Sequence, residues 1–254
     1  MSDVVVLSLR TAPVGALELA GVTPDRLAQL TQREIAALPV RHRGRAAALG
    51  DFFVVQGERS ARVRLEGDLR LAEGLGAGMT GGELVVEGHA GRDVGVAMTG
   101  GAIEVRGDVG DNAGGARPGA ARGMVGGEIL IRGNAGDDAG AGMRRGLVVV
   151  TGNAGRGTGR GMIAGTAVVF GQTGPDAGRW TKRGSIIACG PVARPATFRY
   201  ACTYRPPHVR LLLLYLRERR GLEVADRWIT GRYDRYSGDL AELGKGEMLQ
   251  WAGE

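Results

Sequence analysis

The stretch MTGGELVVEGHAGRDVGVA at residues 79–97 sets a frame that the chain repeats five more times. Its opening residue, Met79, recurs as Met98, Met124, Met143 and Met162 at spacings of 19, 26, 19 and 19, and Thr181 takes the same place 19 further on. Counting from that residue, glycine stands at +3 (Gly82, Gly101, Gly127, Gly146, Gly165, Gly184) and at +9 (Gly88, Gly107, Gly133, Gly152, Gly171, Gly190). In the five complete units it stands again at +12, from Gly91 to Gly174, and at +16, from Gly95 to Gly178. A fixed period near 20 is the mark of a stacked architecture in which each unit is one supersecondary element.

Between the +3 and +9 glycines lie ELVVE (83–87), AIEVR (102–106), EILIR (128–132), LVVVT (147–151), TAVVF (166–170) and SIIAC (185–189). Positions +5 and +7 are nearly always Leu, Ile or Val, while +4 and +8 are often charged in the first three units, the period-2 pattern of a strand with one buried face. Glycines on either side are expected to supply positive-φ corners. One strand per 19 residues with tight corners predicts an all-β parallel β-helix, each turn burying its aliphatics and its opening Met against its neighbours. At roughly 4.8 Å per strand, seven turns would make a rod about 34 Å long. A left-handed hexapeptide coil needs an aliphatic every sixth residue and a calcium-binding nonapeptide coil needs Asp at a fixed offset; neither pattern is present.

The 46 glycines among 254 residues are thus placed by the repeat rather than scattered as low complexity. The net charge of +6 points to an acidic partner or surface. Nucleic acid is disfavoured, because aromatics make up only 5% of the chain and no helix-turn-helix or zinc motif is present. No membrane span is expected, since LLLLYL at 211–216 is flanked by Arg210 and Arg217, and residues 1–10 do not read as a signal peptide. The chain reads as cytoplasmic, with Cys189 and Cys202 as reduced thiols.

Three segments follow from these patterns: an N-terminal α/β cap at 1–50, the repeat domain at 51–195, and a C-terminal helix and interface tail at 196–254. The cap begins with a strand at 4–9. A helical pattern then starts from the Thr23-Pro24 N-cap, breaks near Thr31 and ends before Pro39, with Leu27, Leu30, Ile35 and Leu38 inward. Arg41, His42, Arg43 and Arg45 read as a solvated loop, and 51–56 and 63–66 as strands leading into an irregular first turn. Past the repeat, 196–204 reads as a strand and 207–220 as a helix whose apolar face is Val209, Leu212, Leu213 and Leu216. The remaining tail, without periodicity, is expected to wrap back along the coil and contribute to a subunit interface.

Only the second unit carries an insertion, seven residues within 114–123, which must loop outward and bring Arg117 and Arg122 with it. Arg144, Arg145, Arg156, Arg160, Arg179, Lys182 and Arg183 fall at corners and are expected to stack into a basic stripe able to steer an acidic carrier or partner. The search for chemistry otherwise yields nothing catalytic. His42, His89 and His208 lack ligand spacing, so no metal site is expected. His89 sits at +10, where other units carry Asp108, Asn134, Asn153 and Gln172. Asp93, Asp137, Asp138 and Asp176 recur too irregularly for calcium, and no Ser or Cys stands in a nucleophile elbow.

The motif running from Gly88-His89-Ala90-Gly91 to Gly95, and again from Gly133-Asn134-Ala135-Gly136 to Gly140, resembles the glycine-repeat domain at the C-terminus of the glutamate synthase large subunit. It resembles the C-subunit family of formylmethanofuran dehydrogenase more closely, through its length, its N-terminal cap and a tail similar to Tyr236-Ser237-Gly238-Asp239 followed by Gly244-Lys245-Gly246-Glu247. The resemblance covers residues 51–254 and implies a right-handed parallel β-helix serving as a scaffold. Arginine- and alanine-rich usage points to a high-GC bacterium, hence to the formyltransferase/hydrolase complex of methylotrophs. Related subunits there pass a formyl group from tetrahydromethanopterin to a methanofuran-like carrier and release formate. The implied partners are an amidohydrolase-like subunit holding zinc, a formyltransferase subunit and a dehydrogenase-B-like subunit; this chain would bind no cofactor and no catalytic residue carries over to it. A carrier bearing a polyglutamyl chain would give the basic stripe a ligand. The alternatives are the C-type subunit of a true molybdenum or tungsten dehydrogenase and a glutamate-synthase-type structural coil.

Overall fold

A computed structural model describes residues 4–253; the first three residues of the expected cap, and the last residue of the tail, lie outside them. The N-terminal part begins with β1 (Val5–Leu9), β2 (Leu17–Glu18), α1 (Pro24–Leu27) and α2 (Gln32–Ala36). The expected break near Thr31 is a capping box: the Thr31 hydroxyl and the Glu34 carboxylate satisfy each other's backbone N–H groups. Next come β3 (Pro39–His42), β4 (Arg45–Ala48), α3 (Leu49–Phe52) and β5 (Phe53–Gln56). Two expectations are corrected here. The basic run Arg41 to Arg45 is not a loop but the hairpin β3–β4, turned at Arg43 and Gly44, both at positive φ. The segment 51–56 begins as a helical turn, because the Asp51 carboxylate accepts from the Ala48 N–H and caps α3.

From β6 (Arg62–Glu66) and the short β7 (Ala72–Glu73) the chain enters the repeat, and each unit lays down one strand: β8 (Glu83–Glu87), β9 (Ala102–Val105), β10 (Glu128–Ile131), β11 (Leu147–Val150), β12 (Thr166–Val169) and β13 (Arg183–Ala188). These strands are parallel neighbours in sequence order, within a twelve-stranded sheet that also takes in β1 and β5 at one end. Register is strict, since the +4 residues pair down the series Glu83, Ala102, Glu128, Leu147, Thr166, Ser185. A second parallel series of single bridges runs Leu69, Ala90, Val109, Ala135, Ala154, Thr173, Val192, at +11 of each unit. A third set of backbone bonds joins each +1 N–H to the previous opening residue, as in Val125 to Met98 and Lys182 to Met162. Successive units therefore touch along three lines. The openers Met79, Met98, Met124, Met143 and Met162 are wholly buried between them. The insertion leaves this register intact because its return is closed by Met124 N–H to Gly114 O and Gly123 N–H to Gly142 O.

The glycines divide into two kinds. Those at +3 and +16 do have positive φ, for instance +89° at Gly127 and +70° at Gly140. Those at +9 and +12 do not; they are glycine because the unit above arrives too closely. A Cβ at Gly107 would lie 2.8 Å from the carbonyl carbon of Gly88, and one at Gly91 would lie 2.3 Å from the Ala72 carbonyl oxygen. The expectation of positive-φ corners on both sides of each strand holds on one side only.

After the repeat come β14 (Arg199–Tyr204), α4 (Pro207–Arg220), α5 (Asp226–Thr230), β15 (Arg232–Gly238) and β16 (Lys245–Gly253). Helix α4 lies across the outer face of the sheet, placing Val209, Leu213 and Leu216 in one cluster with Leu130, Val149, Val168 and Ile187, the +6 residues of β10 to β13. These strands are buried on both faces, so they read as continuous apolar runs. The earlier β8 and β9, outside the helix, alternate instead and carry Glu83, Glu87 and Glu104 on the outer face. The last turn of α4 is pinned to β10. Arg220 donates to both Glu128 carboxylate oxygens (3.0 and 2.8 Å), Tyr215 donates to one of them (2.8 Å), and Arg132 donates to the carbonyls of Arg220 and Gly221. Those carbonyls are the acceptors a helix C-terminus leaves open. The tail departs from expectation: instead of running back along the stack it ends it, with β16 parallel to β13 and β15 folded back antiparallel between β16 and β14.

Candidate interaction surface

Each unit is tied to the next by side chains acting on backbone. The Asp108 carboxylate accepts from Asn134 N–H at 2.7 Å, Asn134 Oδ1 from Asn153 N–H at 2.8 Å, and Asn153 Oδ1 from Gln172 N–H at 2.9 Å. His89 heads this +10 ladder, with Nδ1 accepting from Asp108 N–H at 3.0 Å, which requires that nitrogen to be unprotonated. A shorter ladder at +13 runs from Asp111 through Asp137 to Arg156 N–H. His89→Asn should therefore leave thermal stability unchanged or slightly raised, because Asn is the ladder's own residue. His89→Ala should cost about 1 kcal/mol, and a melting curve of each variant checks this.

The irregular-looking aspartates have a conformational cause. Asp93, Asn112, Asp138 and Asp176 all stand at +14 with φ between 60° and 66°, and the remaining unit has Gly157 there at 70°. The left-handed corner selects Asp, Asn or Gly because these tolerate it. The same corner collects arginines from +13 and +17. Arg156 donates to Asp176 at 3.0 and 2.6 Å, and Arg160 to Asp138 at 2.5 Å, around a cleft of about 320 Å³ that Trp180 borders. Donation from Arg156 holds the Asp176 carboxyl below the usual range.

The expected basic stripe is thereby divided. Arg156 and Arg160 are tied to aspartates of this chain at one corner. Arg144, Arg145, Lys182 and Arg183 lie at +1 and +2, a different corner, all exposed, and no carboxylate among the described residues pairs with them. Two units separate the pairs, roughly 10 Å along the stack. Arg117 and Arg122 are exposed on the insertion loop.

Groups with chemical potential are held quiet. Burial pushes the Cys189 thiol up to about 12, so no thiolate forms there near neutrality. Ser185 Oγ donates to Glu247 Oε1 at 2.7 Å, and Arg235 holds the other oxygen of Glu247 at 2.9 Å. Asp239, 1% exposed, accepts from Trp180 N–H at 2.8 Å and Ala241 N–H at 2.9 Å. Burial raises its carboxyl, but the donors around it more than offset this and hold it below the usual range. A depressed carboxyl stabilises the fold fully above its unfolded value near 4, and that contribution is lost as pH falls through the folded value. Asp239→Asn should accordingly lower the melting temperature at pH 7 and flatten its decline below about pH 4, as measured by melting across that range. The tail motif residues Asp239 and Glu247 thus join the tail to the last repeat units. Among the described residues no cluster of three or more His, Cys, Asp or Glu stands where it could hold a metal, and no helix is long and apolar enough to cross a membrane.

No protein-family model matches the chain. It is 31% identical over 94 residues to the C-type subunit of the tungsten-containing formylmethanofuran dehydrogenase 2 of Methanothermobacter wolfeii, covering 35% of this chain and 34% of that protein. The counterpart in Methanothermobacter thermautotrophicus is also 31% identical over 94 residues. The matched segment thus spans about a third of these relatives' length. Among solved structures, a chain of the formyltransferase/hydrolase complex from Methylorubrum extorquens, crystallised with methylofuran, superposes with a TM-score of 0.83 and 36% identity, over 97% of this chain and 99% of that one.

Proposed function

We propose, from the premise that this chain belongs to the C-subunit family of formylmethanofuran dehydrogenase, that it is the structural subunit of a formyltransferase/hydrolase complex in one-carbon metabolism. The observation that carries the reading is the full-length likeness at 36% identity to a chain of such a complex. The two ladders support a structural role, because the side chains recurring along them are committed to the backbone of the next unit. The three lines of contact per unit support a β-helical winding of residues 51–195, capped by 1–50 and closed by 196–254; its right hand is what the family resemblance implies.

In this reading the complex works in the cytoplasm. It takes a formyl group from tetrahydromethanopterin to a methanofuran-type carrier and releases formate. The chemistry resides in an amidohydrolase-like zinc subunit and a formyltransferase subunit, and a dehydrogenase-B-like subunit is the remaining member of the assembly. The tungsten-containing relatives support the second reading, the C-type subunit of a redox dehydrogenase. Metal analysis of the purified complex separates the two: zinc without tungsten or molybdenum supports hydrolysis, and either heavy metal overturns it.

The exposed cations Arg144, Arg145, Lys182 and Arg183 would hold the acidic tail of the carrier. Neutralising Arg144, Arg145 and Arg183 together should raise the KM for the carrier about tenfold or more with little change in kcat, the mark of lost ground-state attraction. An unchanged KM at low ionic strength would dispose of the carrier role.

A further inference from the structure

Between α4 and α5 runs an open groove of about 810 Å³. Its apolar wall is Leu211, Leu214, Ile229 and Pro206, and Leu211 is 68% exposed. On α4, Val209, Leu213 and Leu216 are spent on the sheet and Leu214, half-buried, packs at the edge of that cluster and lines the groove, while Leu211 points outward. The rim is cationic. Arg205 reaches only the Thr230 carbonyl, Arg227 lies over the Trp228 and Trp251 rings, and Arg210 has no partner for its guanidinium among the described residues. The one carboxylate on the groove, Asp226, is taken by Arg217 at 2.7 Å. Three cations therefore surround an apolar floor, and among the described residues no carboxylate pairs with any of them. The first turn of α4 adds no acidic residue, so its positive dipole end reinforces the same field.

We propose that this groove seats a segment of a partner protein of the complex in which carboxylates flank an aliphatic or aromatic side chain. The apolar residue fills the floor against Leu211 and Leu214, and the carboxylates pair with Arg205, Arg210 and Arg227. Buried arginines and large apolar anchors at the centre of an interface are where binding energy concentrates. Arg210 and Leu211 contribute to the groove without touching the packing of α4 on the sheet, so they can be changed without touching the fold. The proposal rests on the subunit reading above and adds to it the place and the chemistry of one contact.

The test uses the purified complex and the isolated chain. Hydrogen exchange should show amides of 208–214 and 226–231 protected in the complex and exchanging faster in the isolated chain. The double variant Arg210→Glu/Leu211→Glu should keep the melting temperature of the isolated chain while weakening assembly at least about tenfold, with Leu71→Glu, another exposed aliphatic, as the neutral control. If the double variant proves unstable, exchange on the unmodified chain decides alone. A complex that forms with equal exchange in those segments and equal affinity of the variant overturns the groove and leaves the subunit reading standing. Failure of the unmodified chain to assemble with any other subunit removes both. An isolated chain that is a dimer, made monomeric by Arg210→Glu/Leu211→Glu, assigns the groove to a second copy and overturns the partner. Protection induced in the isolated chain by poly-L-glutamate, with none added on assembly, assigns it to a small acidic ligand and does the same.

Discussion

Gly127→Val should unfold the stack from its middle. Gly127 sits at φ +89°, and a Cβ there would lie 2.5 Å from Met98 Cε and 2.8 Å from the Gly101 carbonyl oxygen. The methionine end can move, but the carbonyl cannot, because it accepts from Glu128 N–H in the bond that stacks one unit on the next. A left-handed β-branched residue and a backbone clash each cost about 1–3 kcal/mol. Together they remove about 3–5 kcal/mol from a total of about 5–15. Chemical denaturation should show a loss of this size or insoluble expression. Gly119→Val separates the two causes, since Gly119 also has positive φ, +77°, but has open space around it. A Gly119 variant as damaging as the Gly127 variant would mean that backbone conformation alone, and not close stacking, accounts for these glycines.

Leu213→Asp should detach the C-terminal layer while leaving the stacked repeat strands formed. Leu213 is fully buried between α4 and the outer sheet face, with Val149, Val168 and Ile187 in the same cluster. Truncating such a leucine costs about 2–5 kcal/mol, and a buried carboxylate with no partner adds to that. Residues 207–220 should lose protection from hydrogen exchange, and the Arg220–Glu128 contact should go with them, whereas amides of 83–105 stay protected because α4 does not cover them. Leu211→Asp, two residues away on the exposed side, should leave the isolated chain intact. Equal effects of the two would contradict this orientation of α4.

Why some of the molecule was legible in its sequence and some was not comes down to the range of the forces involved. The strand positions followed from alternation at +5 and +7, and the buried methionines from their period, because both are local patterns imposed by one repeated neighbour. The +14 corner was equally present in the chain as Asp93, Asn112, Asp138, Gly157 and Asp176, but it reads as irregular acidity until one asks which residues tolerate a left-handed backbone. The hairpin at Arg43-Gly44 was hidden by its charge, although its turn dipeptide was visible. The two classes of glycine look identical in sequence, since close approach at Gly107 depends on where the previous unit's backbone lies. The pairing of Arg156 with Asp176 and of Arg160 with Asp138 depends on residues 20 and 22 positions apart meeting across a turn, so a stripe read from offsets alone overstated the free positive charge. The tail was least legible because β16 takes its place from β13, some sixty residues earlier.

The most direct measurement is affinity purification of this chain from extract of its native cell, with mass spectrometry of what accompanies it and quantitation of subunit ratios. A structural subunit should bring down an amidohydrolase-like subunit, a formyltransferase subunit and a dehydrogenase-B-like subunit in fixed stoichiometry, stable to gel filtration at moderate salt. Recovery of the chain alone, at a mass of 26.5 kDa and with no stoichiometric companion, would contradict the account.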